Sequence, residues 1–248
     1  MLSVEKPMQG IQIIRRRPFS RLLHPDDMER LRGITRGAIN YNNPNISNYR
    51  DTAGTLEAKV AEHLRELARQ KKQVRFLDIG AGEGNALATA ENLAPGIIKA
   101  HGLALHGPHE KSKVAKENWT RAFSEATVFK KAGSQEGAFH VIQMRYVLEH
   151  APNQVLALEN ALNSLAKGGK LFIMHTGRQF VLSASEEPPT EELVNAMKKQ
   201  GFGFQHFPSW NLDRELEIIT RKGSNRADLR EFYDHCRLNR IQVRRDVA

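Results

Sequence analysis

The sequence has very little cysteine and no long apolar segment. Cys236 is the only cysteine among 248 residues, which excludes an intramolecular disulfide and fits a reducing compartment. No apolar run approaches the ~20 residues that a membrane-spanning helix needs, and the N-terminus lacks the apolar core of a signal peptide. We therefore expect a cytoplasmic protein that is neither disulfide-stapled nor membrane-spanning.

Acidic residues are scarce at the two ends of the chain. The formal net charge is +9, and residues 1–36 and 221–248 each carry 8 basic and 4 acidic side chains. The middle of the chain is therefore close to neutral. Such ends suit nucleic acid, an anionic membrane surface or an acidic partner. The lack of a basic stripe with interleaved aromatics instead favours solvated terminal segments.

The most informative stretch lies between residues 74 and 93. Residues 74–79 are predicted to form a short buried strand, and residues 85–93 a helix. Between them, glycines occupy positions 80, 82 and 84, where a tight turn needs backbone conformations that are closed to residues with a Cβ. A dinucleotide fingerprint requires glycine at position 85, but Asn85 is present. Asp78 suits a ligand that carries positive charge.

This pattern resembles the first motif of the class I (Rossmann-like) S-adenosylmethionine-dependent methyltransferases. The resemblance implies that S-adenosylmethionine is the cofactor and that the glycine loop lies against its methionine and ribose parts. A tight strand–helix turn without a ligand is the alternative. The cofactor contacts implied in this loop are Asp78, Gly80, Ala81, Gly82 and Gly84.

Two acids that the family uses for the cofactor are missing from the sequence. The family's second strand ends in an acid that accepts hydrogen bonds from the ribose hydroxyls, and Ala104 aligns with it. Ser134 stands where the family commonly has an acid for the adenine. A hydrogen bond to a charged group is worth roughly 1.5–3 kcal/mol, so we expect weaker binding unless other groups replace them. The further cofactor contacts implied by the alignment are Leu103, Ala104, Ser134, Gln135 and Met144.

Two later stretches strengthen the resemblance, because their order and spacing both match the family. Residues 147–150 follow the predicted fourth strand, residues 139–144, and residues 165–169 precede the fifth. A histidine that titrates near neutrality beside a carboxylate suits a general base. His150 with Glu149 is therefore the candidate catalytic pair, although capping of the following helix explains this pair equally well.

Candidate acceptor contacts lie at strand ends and in a loop before the core. Arg145 follows the fourth strand and suits an acidic acceptor or a salt bridge. His175 ends the fifth strand and either contacts the acceptor or simply ends the strand. In many small-molecule methyltransferases a segment before the core covers both ligands. Tyr41 and Tyr49 lie in an asparagine-rich loop there, as lid residues or as packed surface tyrosines.

Some chemistries are disfavoured by what is missing. Residues 143–146 lack the Asn/Asp-Pro-Pro-aromatic motif, which lowers the odds of amino-group methylation on DNA bases. The core has no cysteine for pyrimidine C5 chemistry. His101, His106 and His109 are close in sequence, but no Asp or Cys joins them at a metal-site spacing. We therefore predict no metal.

The remaining pattern predicts alternating strands and helices, and the resemblance implies an α/β fold with a seven-stranded, mostly parallel, doubly wound sheet whose last strand is antiparallel. The predicted strands cover residues 74–79, 97–105, 126–130, 139–144, 170–174, 201–207 and 214–220. The predicted helices cover residues 55–72, 85–93, 111–123, 153–167 and 187–199. We expect an N-terminal cap or lid over residues 1–54, a methyltransferase-like core over 55–222, and a basic helical extension over 223–248.

Three functional hypotheses follow. The first is methyl transfer from S-adenosylmethionine to an oxygen or nitrogen atom of a small molecule. The second is a degenerate member of the family that acts as an interaction module through its basic ends. The third is an RNA or protein methyltransferase whose arginine-rich ends grip the polymer.

Overall fold

The computed structural model describes residues 10–15, 50–82, 84–104, 118–122, 124, 127–148, 151, 153–175, 188–208 and 215–233. Its strands are β1 Ile11–Arg15, β2 Val74–Ile79, β3 Ile98–Ala104, β4 Trp119–Arg121, β5 Thr127–Lys131, β6 Phe139–Arg145, β7 Leu165–His175, β8 Phe202–Pro208 and β9 Glu215–Arg221. Its helices are α1 Arg50–Gln70, α2 Asn85–Leu93, α3 Gln154–Ser164 and α4 Pro188–Lys199, followed by a short 3-10 helix, Arg230–Phe232.

Seven of these strands form one sheet in the order β4-β3-β2-β6-β7-β9-β8. The first five run parallel, whereas β9 pairs antiparallel with both β7 and β8. The predicted seven-stranded, mostly parallel sheet is therefore confirmed. Because parallel strands share their direction, the sheet has two distinct ends. We call the carboxyl edge the one where the parallel strands end, at Ile79, Ala104, Arg121, Arg145 and His175, and the amino edge the one where they begin.

Helices pack on both faces of the sheet, as a doubly wound fold requires. On one face α1 buries Leu56, Val60 and Leu64 together with residues of α2. On the other face every residue of α3 is buried, and α4 contributes Leu193 and Met197 to the same cluster. The apolar surface thus removed from water is the main favourable term that holds the strand ends in place.

The third strand of the sheet is not the predicted one. Residues 126–130 were expected there, but β5 (Thr127–Lys131) lies outside the seven-stranded sheet and pairs antiparallel with β1. The third strand is β4, which pairs with the last three residues of β3. It occupies part of the helix predicted over residues 111–123. Trp119 in β4 packs so closely on Gly102 that a Cβ there would lie 2.7 Å from its ring.

Two helix boundaries also differ from the prediction. α1 begins at Arg50, five residues before the predicted start at Thr55, so Thr55 lies inside the helix. α3 has the expected start, where Asn153 accepts a hydrogen bond from the Leu156 amide at 2.9 Å. It ends at Ser164, because the chain enters β7 at once. Among the described helices, none is long and apolar enough to cross a membrane.

The described part of the C-terminal region is not the predicted helix. Residues 222–229 are irregular before the short 3-10 helix. This segment is held on α3, where Asn163 donates to the Ala227 carbonyl at 2.9 Å and accepts from the Ala227 amide at 3.0 Å. Glu159 accepts from the Leu229 amide and from the Tyr233 hydroxyl, at 2.8 Å and 2.7 Å. Leu229 is fully buried, so this segment is part of the core packing.

Replacing Asn163 tests this attachment. Asn163→Ala leaves the buried amide and carbonyl of Ala227 without partners, so we expect a loss of about 2–4 kcal/mol in the free energy of unfolding. Urea unfolding measures it. Asn195→Ala, at an exposed position of α4, is the control and should change the free energy by less than about 0.5 kcal/mol. Equal effects of the two substitutions would contradict the attachment.

Candidate active site

The glycine turn at the end of β2 forms one side of the site. Gly80, Gly82 and Gly84 have φ angles of 79°, 52° and 81°, a region that residues with a Cβ rarely adopt. The turn is fixed to β3 because the Gly80 amide donates to the Leu103 carbonyl at 2.7 Å. Gly80 and Gly82 are exposed, so bare main chain faces the carboxyl edge.

Val147 and the start of α2 determine which side chains and ligands this turn can accommodate. A Cβ on Gly80 would lie 2.3 Å from Cγ2 of Val147, so only glycine fits between β2 and the segment after β6. Gly84 precedes α2 and provides no side-chain cap for it. The first amides of a helix need partners and favour negative groups. The turn therefore offers a surface without side chains beside a helix N-terminus, which fits the carboxylate of an amino-acid ligand.

Asp78 is the ionisable group beneath this turn. It is 5% exposed, and Gln143 Nε2 donates to its Oδ1 at 3.4 Å. Burial raises the pKa of Asp78 to about 7, although the charge of Arg145 and the hydrogen bond from Gln143 oppose this rise. A nearby cation would favour the ionised form. A positively charged ligand beside Asp78 would therefore keep its carboxylate ionised.

The ribose side of the site has no carboxylate among the described residues at the end of β3. Leu103 is buried and contributes its carbonyl to the glycine turn, and Ala104 is partly exposed. Ala81 is buried under the turn. His106 and Glu110, which could replace the missing acid, lie outside the described residues.

The predicted adenine contacts are corrected by the topology. Ser134 and Gln135 lie in the turn between β5 and β6, where Ser134 accepts from the Glu136 amide at 2.9 Å. β6 begins there, so both residues are at the amino edge, about 20 Å from the glycine turn across a strand of six residues. The prediction from the sequence misplaced Ser134 and Gln135 because it took β5 for the third strand of the sheet. In the structure, Ala122 follows the true third strand at the carboxyl edge, where its amide donates to the Ala104 carbonyl at 3.3 Å.

The end of β6 forms the side of the site next to β7. Met144 is fully buried in the core, whereas Arg145 is half-buried at the edge. Tyr146 has a φ of 53°, which is uncommon for a residue with a side chain and marks a constrained position. Its amide donates to the Met174 carbonyl at 2.9 Å. This conformation brings Val147 against Gly80, which no sequence pattern indicated.

A buried polar cluster follows at the ends of β7 and β8. His175 and Glu217 are fully buried, with 3.7 Å between His175 Nε2 and Glu217 Oε1. His206 Nδ1 lies 2.6 Å from the same oxygen, and its side chain is 27% exposed. The three residues share one face of the sheet and connect the carboxyl edge with solvent. Sequence analysis found His175 alone, although an acid at an inward position of β9 was a usable signal.

Four of the predicted site residues lie outside the described residues: Tyr41, Tyr49, Glu149 and His150. His101 is 3% exposed and its Nε2 lies 2.8 Å from the Thr120 hydroxyl. Within the described ranges, no group of His, Cys, Asp and Glu side chains has a metal-binding arrangement.

Comparisons with known proteins agree with this fold. A family model described as "Methyltransferase domain" matches residues 52–222. The plantazolicin methyltransferase BpumL, solved with a monoazolic desmethylPZN analogue and SAH, has a TM-score of 0.50 and 14% identity, over 82% of this chain and 97% of that one. Its complex with a triazolic analogue gives 0.50 and 14%, over 82% and 98%. These similarities concern the fold. Among curated proteins, none matches this chain significantly.

The raised pKa of Asp78 makes a testable prediction about stability. Because its pKa is about 7 in the folded protein and about 4 when unfolded, its contribution is complete below about pH 4 and is lost as the pH rises through 7. Asp78→Asn removes this loss. We expect the variant to gain a few kcal/mol relative to the wild type between about pH 4 and 7, in urea unfolding.

Asp228→Asn is the control for this measurement. A hydrogen bond from Arg230 lowers the pKa of Asp228 to about 2, so its contribution changes only at pH values below about 4. The difference between this variant and the wild type should stay constant between about pH 4 and 7. The same constant difference for Asp78→Asn would show that Asp78 does not titrate as proposed.

Proposed function

The chain belongs to the methyltransferase-domain family, and we propose that it transfers a methyl group to an oxygen or nitrogen atom of a small-molecule acceptor. S-adenosylmethionine is the methyl donor of this family. The observation that carries the proposal is the turn of three glycines with positive φ at the carboxyl edge. It supplies a bare main-chain surface, an uncapped helix start and a buried carboxylate together.

The described residues fit the cofactor as follows. Gly80 and Gly82 would hold the methionine and ribose parts against the main chain, and the start of α2 would bind the carboxylate. Ionised Asp78 would offset positive charge. When bound, S-adenosylmethionine supplies a methyl group that its sulfonium already activates. The protein then has to orient the acceptor, exclude water and, where the acceptor is protonated, take up its proton.

We assign the acceptor to the side of the site formed by the ends of β6 and β7. We propose that His175 takes a proton from an acceptor O–H or N–H: that bond would break, and a bond to an imidazole nitrogen would form. Glu217 would stabilise the imidazolium, and His206, closer to solvent, would pass the proton to water. His150 with Glu149 remains the second proposed base, and Arg145 a proposed acceptor contact.

The small-molecule acceptor is supported by a solved structure of similar fold. The plantazolicin methyltransferase holds desmethylPZN analogues together with SAH. We further propose that Tyr41 and Tyr49 belong to a lid that contacts the acceptor. The core includes more than residues 55–222, because β1 and the segment up to Phe232 pack into it and α1 begins at Arg50. The interaction-module hypothesis remains the alternative, because no acid occupies position 104.

Cofactor binding can be tested with a matched pair of glycine variants. Gly82→Ala and Gly133→Ala place a side chain at φ angles of 52° and 71°, and neither new Cβ meets a protein atom within 3.5 Å. Both should lose about 1 kcal/mol of stability. Only Gly82→Ala should weaken the binding of S-adenosylhomocysteine, by roughly tenfold or more, in calorimetric titration. No binding to the wild type would instead favour the interaction module.

The base can be identified once an acceptor is found in a screen of small molecules. His175→Asn should lower kcat by about 10²–10⁴ with little change in KM, while S-adenosylhomocysteine binds as it does to the wild type. His150→Asn is the comparison. If His150→Asn lowers kcat and His175→Asn does not, the proton goes to His150 and the assignment of His175 is wrong.

A further inference from the structure

The amino edge of the sheet carries a concentration of exposed lysines that the methyl-transfer site does not use. They lie where successive elements reach this edge: after α1, at the start of β3, at the end of β5, near the start of β7, at the end of α4 and after β9. We call these residues the basic edge, and all are exposed: Lys71, Lys72, Lys99, Lys131, Lys167, Lys199 and Lys222. The near-neutral total charge of the middle of the chain concealed this clustering.

Among the described residues, few acids lie near the basic edge. Asp228 is exposed and pairs with Arg230. Its main chain exchanges hydrogen bonds with Gln200, which is next to Lys199. Glu136 is half-buried nearby, and its carboxylate accepts a hydrogen bond from the Lys167 amide at 3.2 Å. In the part of the chain that the structure describes, the ion pairs involve none of the seven lysines. Burial, followed by the charges of Lys71 and Arg75, lowers the pKa of His140 to about 4 against the opposing charge of Glu136.

The chemistry of this surface selects among polyanions. Protein interfaces are depleted in lysine and depend on apolar or aromatic anchors, whereas the exposed neighbours here are polar or small, such as Gln73, Gly133 and Gly168. Single-stranded nucleic acid requires aromatic stacking platforms, and the basic edge contains none. Duplex phosphates need only positive charge spread over a broad surface.

The dimensions of the basic edge match a duplex. Lys99 at β3 and Lys222 after β9 are four strand spacings apart, about 19 Å. A duplex carries one phosphate charge per ~1.7 Å of axis, so several lysines can contact phosphates at once. Flexible lysines bind phosphates as point charges without reading bases.

We propose that the basic edge binds the phosphate backbone of double-stranded nucleic acid without reading its sequence. The bound duplex lies about 20 Å from the glycine turn, across the length of the strands. It is therefore a docking partner and not the methyl acceptor. The proposal does not depend on the proposed methyl transfer, because binding is measured without a cofactor.

The test is a titration of the full-length protein against a short fluorescent RNA duplex and a DNA duplex of the same mixed sequence. Fluorescence anisotropy is followed over a series of KCl concentrations. Binding of the wild type should weaken linearly in log–log form as salt rises. In the double variant Lys99→Gln/Lys167→Gln, the slope of the logarithm of the binding constant against the logarithm of the KCl concentration should become less steep by about two. At a fixed low salt concentration, this variant should bind roughly tenfold more weakly than the wild type. Similar affinity for both duplexes is expected.

Two control variants remove the same charge elsewhere. Lys59→Gln/Arg230→Gln changes a lysine that lies 4.3 Å from the Phe207 ring centre and an arginine that pairs with Asp228. Arg244→Gln/Arg245→Gln changes the basic C-terminal segment. For both controls, the slope of the logarithm of the binding constant against the logarithm of the KCl concentration should stay within about one of the wild-type slope. Circular dichroism checks that each variant is folded.

Several results would overturn the proposal. They are absence of duplex binding at low salt, a loss confined to the C-terminal variant, and stronger competition by single-stranded RNA than by unlabelled duplex. Binding only to vesicles that contain phosphatidylserine would assign the basic edge to a membrane surface instead. Each result is independent of S-adenosylhomocysteine binding, so failure here does not affect the proposed methyl transfer.

Discussion

The site depends on the close contact between Gly80 and Val147. A Cβ at position 80 would lie 2.3 Å from the valine. The end of β2 and the segment after β6 can therefore approach each other this closely only because residue 80 is glycine. Tyr146 adopts a φ of 53° on the other side of the same contact. The backbone at the carboxyl edge is therefore held in an unfavourable conformation. The burial of apolar residues on both faces of the sheet compensates for its energetic cost.

The two edges of the sheet differ in electrostatic character. At the carboxyl edge two carboxyl groups are buried beside polar partners: Asp78 accepts a hydrogen bond from Gln143, and Glu217 lies between His175 and His206. At the amino edge, exposed lysines lie at the ends of most elements. One surface therefore suits a small ligand out of water, and the other suits a large polyanion in water. The near-neutral total charge of the middle of the chain does not indicate this difference in charge between the two edges.

The sequence predicts the central strand β2 and the glycine turn, because short-range patterns determine them. It fails at the third strand, because Trp119–Arg121 has only three residues and its pairing with β3 depends on contacts distant in sequence. That error placed Ser134 at the wrong edge. The cluster of Glu217 and His206 was missed because cross-strand pairing, not sequence spacing, joins the two residues. Tyr146 has no sequence signal, since its conformation results from packing.

The central claim is that the main chain of the glycine turn holds the cofactor. The most direct measurement is a titration of ¹⁵N-labelled protein with S-adenosylhomocysteine, followed through the amide resonances of the glycines. The account predicts the largest shifts at Gly80, Gly82 and Gly84, while Gly133 and Gly168 at the amino edge keep their positions. Shifts confined to other residues, or no shifts at saturating ligand, would contradict it.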